Sequence, residues 1–124
     1  MAEQVNSYQD LRVWQDAMAL AESCYTLTRD FPREELFGLT SQIRRSATSI
    51  AANIAEGYGR DSTGSFIHFL RVSQGSLKEL ETHLLISKRV GISAEESIVP
   101  MIDRCQDLGK MLRTLIRKLQ DKNS

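Results

Sequence analysis

Apolar residues recur along this chain at steps of three and four from residue 8 to residue 120. Leu11, Trp14, Met18, Ala21, Tyr25 and Thr28 form the first such series, and Leu39, Ile43, Ala47, Ile50 and Ile54 the second. The third is the most regular: Phe66, Leu70, Ser73, Leu77, Leu80, Leu84 and Ser87. Ile98, Met101, Cys105, Leu108, Leu112, Leu115 and Leu119 make the fourth. Such steps keep a stripe on one side of an α-helix, whereas a half-buried strand alternates with period two, and no stretch does so. The pattern predicts an all-α chain, a single domain over 1–124 with helices at about 8–30, 36–57, 64–90 and 94–121.

Residues with special backbone preferences fall between the stripes. Ser7 and Asp10 have the spacing of a capping box, weakened by Asp in place of Glu or Gln. Phe31-Pro32 predicts the end of the first helix, since the residue before proline is pushed out of the α region. Gly57 and Gly59 suit the end of the second, and Gly91, after Lys88 and Arg89, the end of the third. Asp61, Ser62 and Ser65 are N-cap candidates for the third helix. Ser93 with Glu96 predicts a capping box for the fourth, and Pro100 predicts a kink in it or a first turn set apart. Connections this short make consecutive helices antiparallel, an up-down-up-down four-helix bundle. Helices of roughly 20 to 28 residues at ~1.5 Å per residue make that bundle long and slim, with little core for its surface, so an oligomer is expected.

Apolar residues exceed what one stripe per helix requires. Val13, Leu20 and Leu27 flank the first helix, Phe69 and Ile86 the third, and Ile102, Met111 and Ile116 the fourth. They form either a broad core-facing stripe or a second surface for another subunit. On the second helix Gln42, Arg45, Ser46, Ser49, Asn53 and Glu56 run beside the apolar series, while Ala47, Ala51, Ala52 and Ala55 leave room for another backbone. Gln42, Ser49, Asn53 and Glu56, with Glu79 and Glu81 of the third helix, are candidates for an internal polar network. Glu79 and Glu81 are the expected partners of Arg44 or Arg45. Buried polar groups must be paired, and networks of this kind commonly rigidify a core instead of doing chemistry.

Charge adds one distinction. The 124 residues carry 16 Lys plus Arg against 16 Asp plus Glu, with 41% apolar and 26% charged residues, ordinary values for one globular domain. Zero net charge excludes a histone-like polycation that binds by neutralising many phosphates. The balance is uneven along the chain, however: residues 1–39 have a net charge of −4 and residues 40–60 one of +2. Near the C-terminus Lys110, Arg113, Arg117 and Lys118 form a basic face on the fourth helix. With Arg44, Arg45 and Arg60 they are the candidate contacts to RNA or DNA. The alternative is a solvated face that complements the helix dipole.

No arrangement of residues points to a reaction. A di-iron carboxylate site needs two Glu-x-x-His motifs, whereas His83 follows Glu79 by four residues and His68 follows Gly64 at that spacing. Gly64-Ser65 and Gly75-Ser76 lie outside a G-x-S-x-G motif, and Gly57-Tyr58-Gly59-Arg60 lacks the Lys-Ser/Thr ending of a phosphate loop. Cys24 and Cys105 fall at apolar helical positions and read as small core residues. The expectation is a non-enzymatic protein with no catalytic residue, no metal and no cofactor. Met1 to Asn6 show neither the basic nor the apolar region of a leader, and no apolar run approaches the ~20 residues that span a bilayer. A cytoplasmic protein with no membrane partner is expected.

Several blocks carry a family resemblance. They are Trp14 with Tyr25, the Phe31-Pro32-x-Glu34-Glu35 corner, and Phe37-Gly38-Leu39-Thr40-Ser41-Gln42-Ile43-Arg44-Arg45-Ser46-Ala47. Ser49-Ile50-Ala51-Ala52-Asn53-Ile54-Ala55-Glu56-Gly57, Phe66-x-x-Phe69-Leu70 and Gly75-Ser76-Leu77-x-Glu79-Leu80-Glu81-x-x-Leu84 complete the match. Together they resemble the four-helix-bundle proteins encoded in intervening sequences of bacterial 23S ribosomal RNA genes. The likeness covers nearly the whole chain; the fourth helix matches by pattern, with Pro100 a departure. It implies a bundle that assembles as a ring-like homopentamer. It also implies similarity to the accessory bundle proteins of diversity-generating retroelements, which pair with a reverse transcriptase and bind nucleic acid. Those proteins are strongly basic, and this chain is neutral. The resemblance implies no reaction. The expected function is an oligomeric scaffold or adaptor touching RNA or DNA, and the alternative is a protein-interaction module whose partner is encoded nearby.

Overall fold

The computed structural model describes residues 4–122. Residues 1–3, part of the N-terminal stretch read above for a leader, lie outside the described residues, as do 123–124. The described residues form four α-helices and no strand: α1 Arg12–Thr28, α2 Leu39–Tyr58, α3 Thr63–Arg89 and α4 Glu95–Lys122. Short 3₁₀ turns at Tyr8–Asp10 and Arg33–Glu35 lead into α1 and α2.

Local hydrogen bonding explains where the helix ends depart from the sequence pattern. Ser7 forms its capping box, but with the 3₁₀ turn: Ser7 Oγ accepts from Gln9 N at 3.1 Å and Asp10 Oδ2 from Ser7 N at 3.2 Å. Leu11 is then extended, so α1 starts at Arg12. Glu35 Oε1 accepts from Leu39 N at 3.0 Å, which starts α2 at Leu39 and leaves Leu36 and Phe37 in a turn outside it. Ser62 caps α3, accepting from Ser65 N at 3.1 Å. Gly91 follows that helix with φ +80°, a left-handed conformation that glycine adopts without a Cβ clash.

The N-terminus of α4 is built differently from the expected capping box. Ser93 is hydrogen-bonded to Ser87 Oγ at 3.1 Å. Ala94 O receives the N–H groups of Ser97 and Ile98, so Ala94 takes the cap position. No first turn is set apart at Pro100, because the helix runs unbroken through it. Proline removes the donor for Glu96 O, and both residues are exposed, where water can serve that carbonyl. Ile98 and Met101 are buried and hold this turn in line with the rest.

The four helices enclose one core. α2 packs most extensively on α3, α1 packs on α2 and α4, and α3 packs on α4. The third stripe is buried from Leu70 through Ser87. The fourth is buried as far as Leu112, after which Ile116 replaces Leu115. A strict seven-residue repeat drifts by ~20° per heptad on a straight helix, enough to bring the neighbouring residue inward. The first stripe departs most. Val13, Ala17, Leu20, Ala21, Cys24 and Thr28 are buried, while Met18 and Tyr25 are exposed and Trp14 is half-buried. The buried face keeps Ala21 and Thr28 but is turned by about 80°, a little less than one residue's rotation, from the predicted one. Small Ala17, Ala21 and Cys24 let α1 come close, which a row of Trp14, Met18 and Tyr25 would prevent.

α2 and α3 approach closely at two points. Gly57 is buried, and a Cβ there would stand 2.7 Å from Phe69 Cβ and 3.1 Å from Phe66 Cδ1. One α2 turn pair earlier, buried Ser73 donates its hydroxyl to Ile50 O at 2.9 Å. Gly57→Ala should therefore destabilise the fold by about 1–3 kcal/mol through overpacking, although alanine is the better helix former. Gly75, exposed in α3 with nothing within 4 Å of its would-be Cβ, supplies the control. Gly75→Ala should stabilise by up to ~1 kcal/mol. Urea unfolding midpoints that shift in the same direction for both variants would contradict the close approach.

Cys24 and Cys105 are fully buried free thiols, and burial pushes each up to about 12, with Arg104 offsetting this in part. In the unfolded chain the same thiols ionise near ~8.5. The unfolded state therefore loses protons first, so stability falls as pH rises from ~8.5 toward 12. The melting temperature should decline over that window, and less steeply in a Cys24→Ala/Cys105→Ala variant.

Candidate functional site

Three surfaces gather the polar and apolar residues that the core does not absorb. The first is the polar seam between α2 and α3. Arg45 Nη2 donates to Glu79 Oε2 across the two helices and to Gln42 Oε1 at 2.8 Å, so one guanidinium ties both acceptors together. A turn further on, Ser49 Oγ and Ser76 Oγ share a hydrogen bond of 2.9 Å, and Asn53 Nδ2 donates to Ser49 Oγ at 3.0 Å and to Ser49 O at 2.8 Å. Glu56 and Glu81 stay outside this seam: Glu56 pairs at 3.0 Å with Arg60, just beyond the end of α2, and Glu81 at 3.1 Å with Lys78 on its own helix. His83 Nε2, without a hydrogen-bond partner, lies 3.6 Å from Glu79 Oε2. The seam closes on itself and joins two helices. No group of three or more His, Cys, Asp or Glu among the described residues could hold a metal ion.

The second surface is cationic and comes mainly from α4. Lys110, Arg113, Arg117 and Lys118 are all exposed. Lys110 and Lys118, joined by Arg12 of α1, border an apolar groove of about 360 Å³ over Leu11, Val13, Met111 and Leu115. The three α2-side arginines have other partners. Arg44 Nε donates to Thr28 Oγ1 at 2.8 Å with its guanidinium 4.6 Å from the Tyr25 ring centre. Arg45 holds Glu79, and Arg60 holds Glu56 with its guanidinium 4.9 Å from the Phe69 ring centre. The structure therefore groups Lys110 and Lys118 with Arg12, a residue that the sequence pattern did not single out, and separates them from Arg44, Arg45 and Arg60.

The third surface is an apolar groove of about 660 Å³ between α1 and α2. Trp14, Met18 and Tyr25 line it from α1, and Ala51, Ala52 and Ala55 from α2. Tyr8 meets Trp14 edge to face, with ring centres 5.3 Å apart and planes at 72°. Glu22 and Arg29 supply charges along it. The groove exists because the aromatic stripe of α1 is turned out of the core and the facing alanines do not fill the space.

Known proteins match the chain as follows. The sequence model of one family, described as 23S rRNA-intervening sequence protein, matches residues 9–114. A crystal structure of a protein with unknown function from the S23 ribosomal protein family of Bacteroides thetaiotaomicron VPI-5482 is similar at a TM-score of 0.75 and 25% sequence identity. The similarity covers 84% of this chain and 97% of that one. No curated protein matches the chain.

The α2–α3 seam yields a pH prediction. The hydrogen bond from Arg45 holds the Glu79 carboxyl below the usual carboxylate range. A depressed carboxylate stabilises the fold at neutral pH, and that contribution disappears as pH falls below the ordinary ~4.3. Both partners are partly exposed, so the pair should be worth less than about 1 kcal/mol and weaken in salt. Glu79→Gln should therefore lower the melting temperature slightly at pH 7, and the difference from wild type should shrink progressively as pH falls below ~4.3, followed by thermal denaturation across that range.

Proposed function

The chain belongs to the 23S rRNA-intervening sequence protein family, and from that premise we propose that it is a non-catalytic helical scaffold that assembles with copies of itself. Its helices run up-down-up-down, and the assembly is a ring of five, the number implied by the family resemblance. One observation carries this reading: the groove of about 660 Å³ lined by Trp14, Met18, Tyr25 and three alanines. Contiguous apolar surface of this kind, bordered by polar residues, marks an interaction site on a soluble domain.

Assembly also gives the cations of α4 a use. Repeated around a ring, Lys110, Arg113, Arg117, Lys118 and Arg12 would form a band in which individually weak phosphate contacts add through avidity. The reading places RNA or DNA contact on these residues because the guanidinium groups of Arg44, Arg45 and Arg60 are engaged within the chain. The protein acts in the cytoplasm, in keeping with the fact that no helix among the described residues is long and apolar enough to cross a membrane. A protein-interaction module is the second reading, favoured by the same apolar groove.

Light scattering should report a mass of five chains, and gel-shift titration with a structured RNA should show binding that weakens steeply with salt. Reversing Lys110, Arg113, Arg117 and Lys118 to Glu should abolish the shift while preserving the mass. A monomeric mass would remove the scaffold reading. An oligomer that gives no shift even at low salt would remove nucleic acid and leave a protein partner.

A further inference from the structure

We infer that the contact between copies is a knob and a groove carried by the same chain: the Leu36–Phe37 corner of one copy seats in the α1–α2 groove of another. The inference rests on the self-assembly proposed above and supplies its contact. Phe37 is 91% exposed and Leu36 52%, the first being the most exposed large apolar side chain described. Neither reaches the groove of its own chain.

The corner is rigid. Glu35 N donates to Pro32 O at 2.9 Å, Leu36 N to Arg33 O at 3.0 Å and Gly38 N to Glu35 O at 3.0 Å. The Glu35 carboxylate then caps Leu39 N at 3.0 Å. A Cβ at Gly38 would stand 2.8 Å from Glu35 Oε1, so glycine is what leaves the capping carboxylate its place. Two apolar side chains are thus held outward on a turn fixed at both ends. A preorganised corner loses little conformational freedom when it docks.

The groove offers complementary surface. Trp14 and Tyr25 present rings for edge-to-face contact with Phe37, Met18 adapts to its shape, and Ala51, Ala52 and Ala55 leave the space that two side chains need. The charges also complement each other. Glu22 and Arg29 border the groove, and exposed Arg33 and Glu34 flank the corner, so each charge can face its opposite. The smaller α1–α4 groove matches only half of the corner: Arg12, Lys110 and Lys118 could meet Glu34, but no acid lines it to meet Arg33. A knob and a groove at different places on one chain make a heterologous contact, which closes into a ring when the rotation between copies permits.

Cross-linking and mass measurement test this together. In a Glu34→Cys/Ala52→Cys variant, which keeps Leu36 and Phe37, mild oxidation should give a ladder of covalently joined chains, while each single variant stays as single chains. The buried thiols of Cys24 and Cys105 leave the added cysteines as the reactive pair. Phe37→Ser should convert the oligomer to monomer by light scattering with an unchanged melting temperature, since Phe37 packs on almost nothing in its own chain. If the wild-type protein is itself monomeric, the assembly reading and this contact fall together. If the wild type is oligomeric, Phe37→Ser remains so and the double variant gives no ladder, the knob alone is overturned. A ladder from Glu34→Cys/Thr114→Cys in place of Glu34→Cys/Ala52→Cys would also overturn it, by putting the corner in the α1–α4 groove.

Discussion

The close approach of α2 and α3 governs the rest of this molecule. It depends on the absence of a side chain at Gly57, against Phe69 and Phe66, and on the Ser73 hydroxyl that reaches the Ile50 carbonyl. Once those points are fixed, the rotation of α2 is fixed too. Ile43, Ala47, Ile50 and Ile54 turn into the core, and Ser49 turns to Ser76. The alanines at 51, 52 and 55 are left beside α1. α1 can then come close only through its own small residues, and its aromatic stripe has nowhere to go but outward. The α1–α2 groove is a by-product of packing decided on the other side of the same helix.

How much of this could be seen in the sequence depended on whether a residue's place is set locally. The α3 stripe was fully legible, because one run of Leu and Ser answers the helical period and no rival run on that helix does. On α1, Trp14/Met18/Tyr25 and Val13/Leu20/Leu27 obey the same period, and only the volumes offered by α2 and α4 choose between them. The seam shows the same division. Glu79 and Glu81 both looked available to Arg45, yet at about 100° per residue they point to nearly opposite sides of α3, so only one can face α2. Glu79 does, and Glu81 pairs with Lys78 on its own helix.

Other features required contacts that no local pattern announces. Arg12 joins Lys110 and Lys118 only because α1 and α4 pack together. Ser93 had the spacing of a cap, but its hydroxyl is hydrogen-bonded to Ser87 instead. Leu36 and Phe37 continue the apolar run into α2 and read as its first turn. A single carboxylate, Glu35, starts the helix two residues beyond them and converts a core-like dipeptide into a surface feature. Neutral net charge proved equally uninformative about distribution: three arginines are drawn into contacts within the chain, and the exposed cations of α4 stand apart from them.

The pairing of helices has a consequence for the order in which the chain takes shape. α1 meets α2, α2 meets α3 and α3 meets α4, each with a neighbour in sequence; among the described residues, α1 with α4 is the only helix pair in contact that is not consecutive. Contacts between sequence neighbours close small loops and form quickly. During synthesis the first three helices can find each other while α4 is still being made. The α1–α4 groove, with one wall from the first helix and one from the fourth, cannot exist until α4 has been made, so a ligand for that groove would recognise chains with α4 in place and ignore shorter nascent ones.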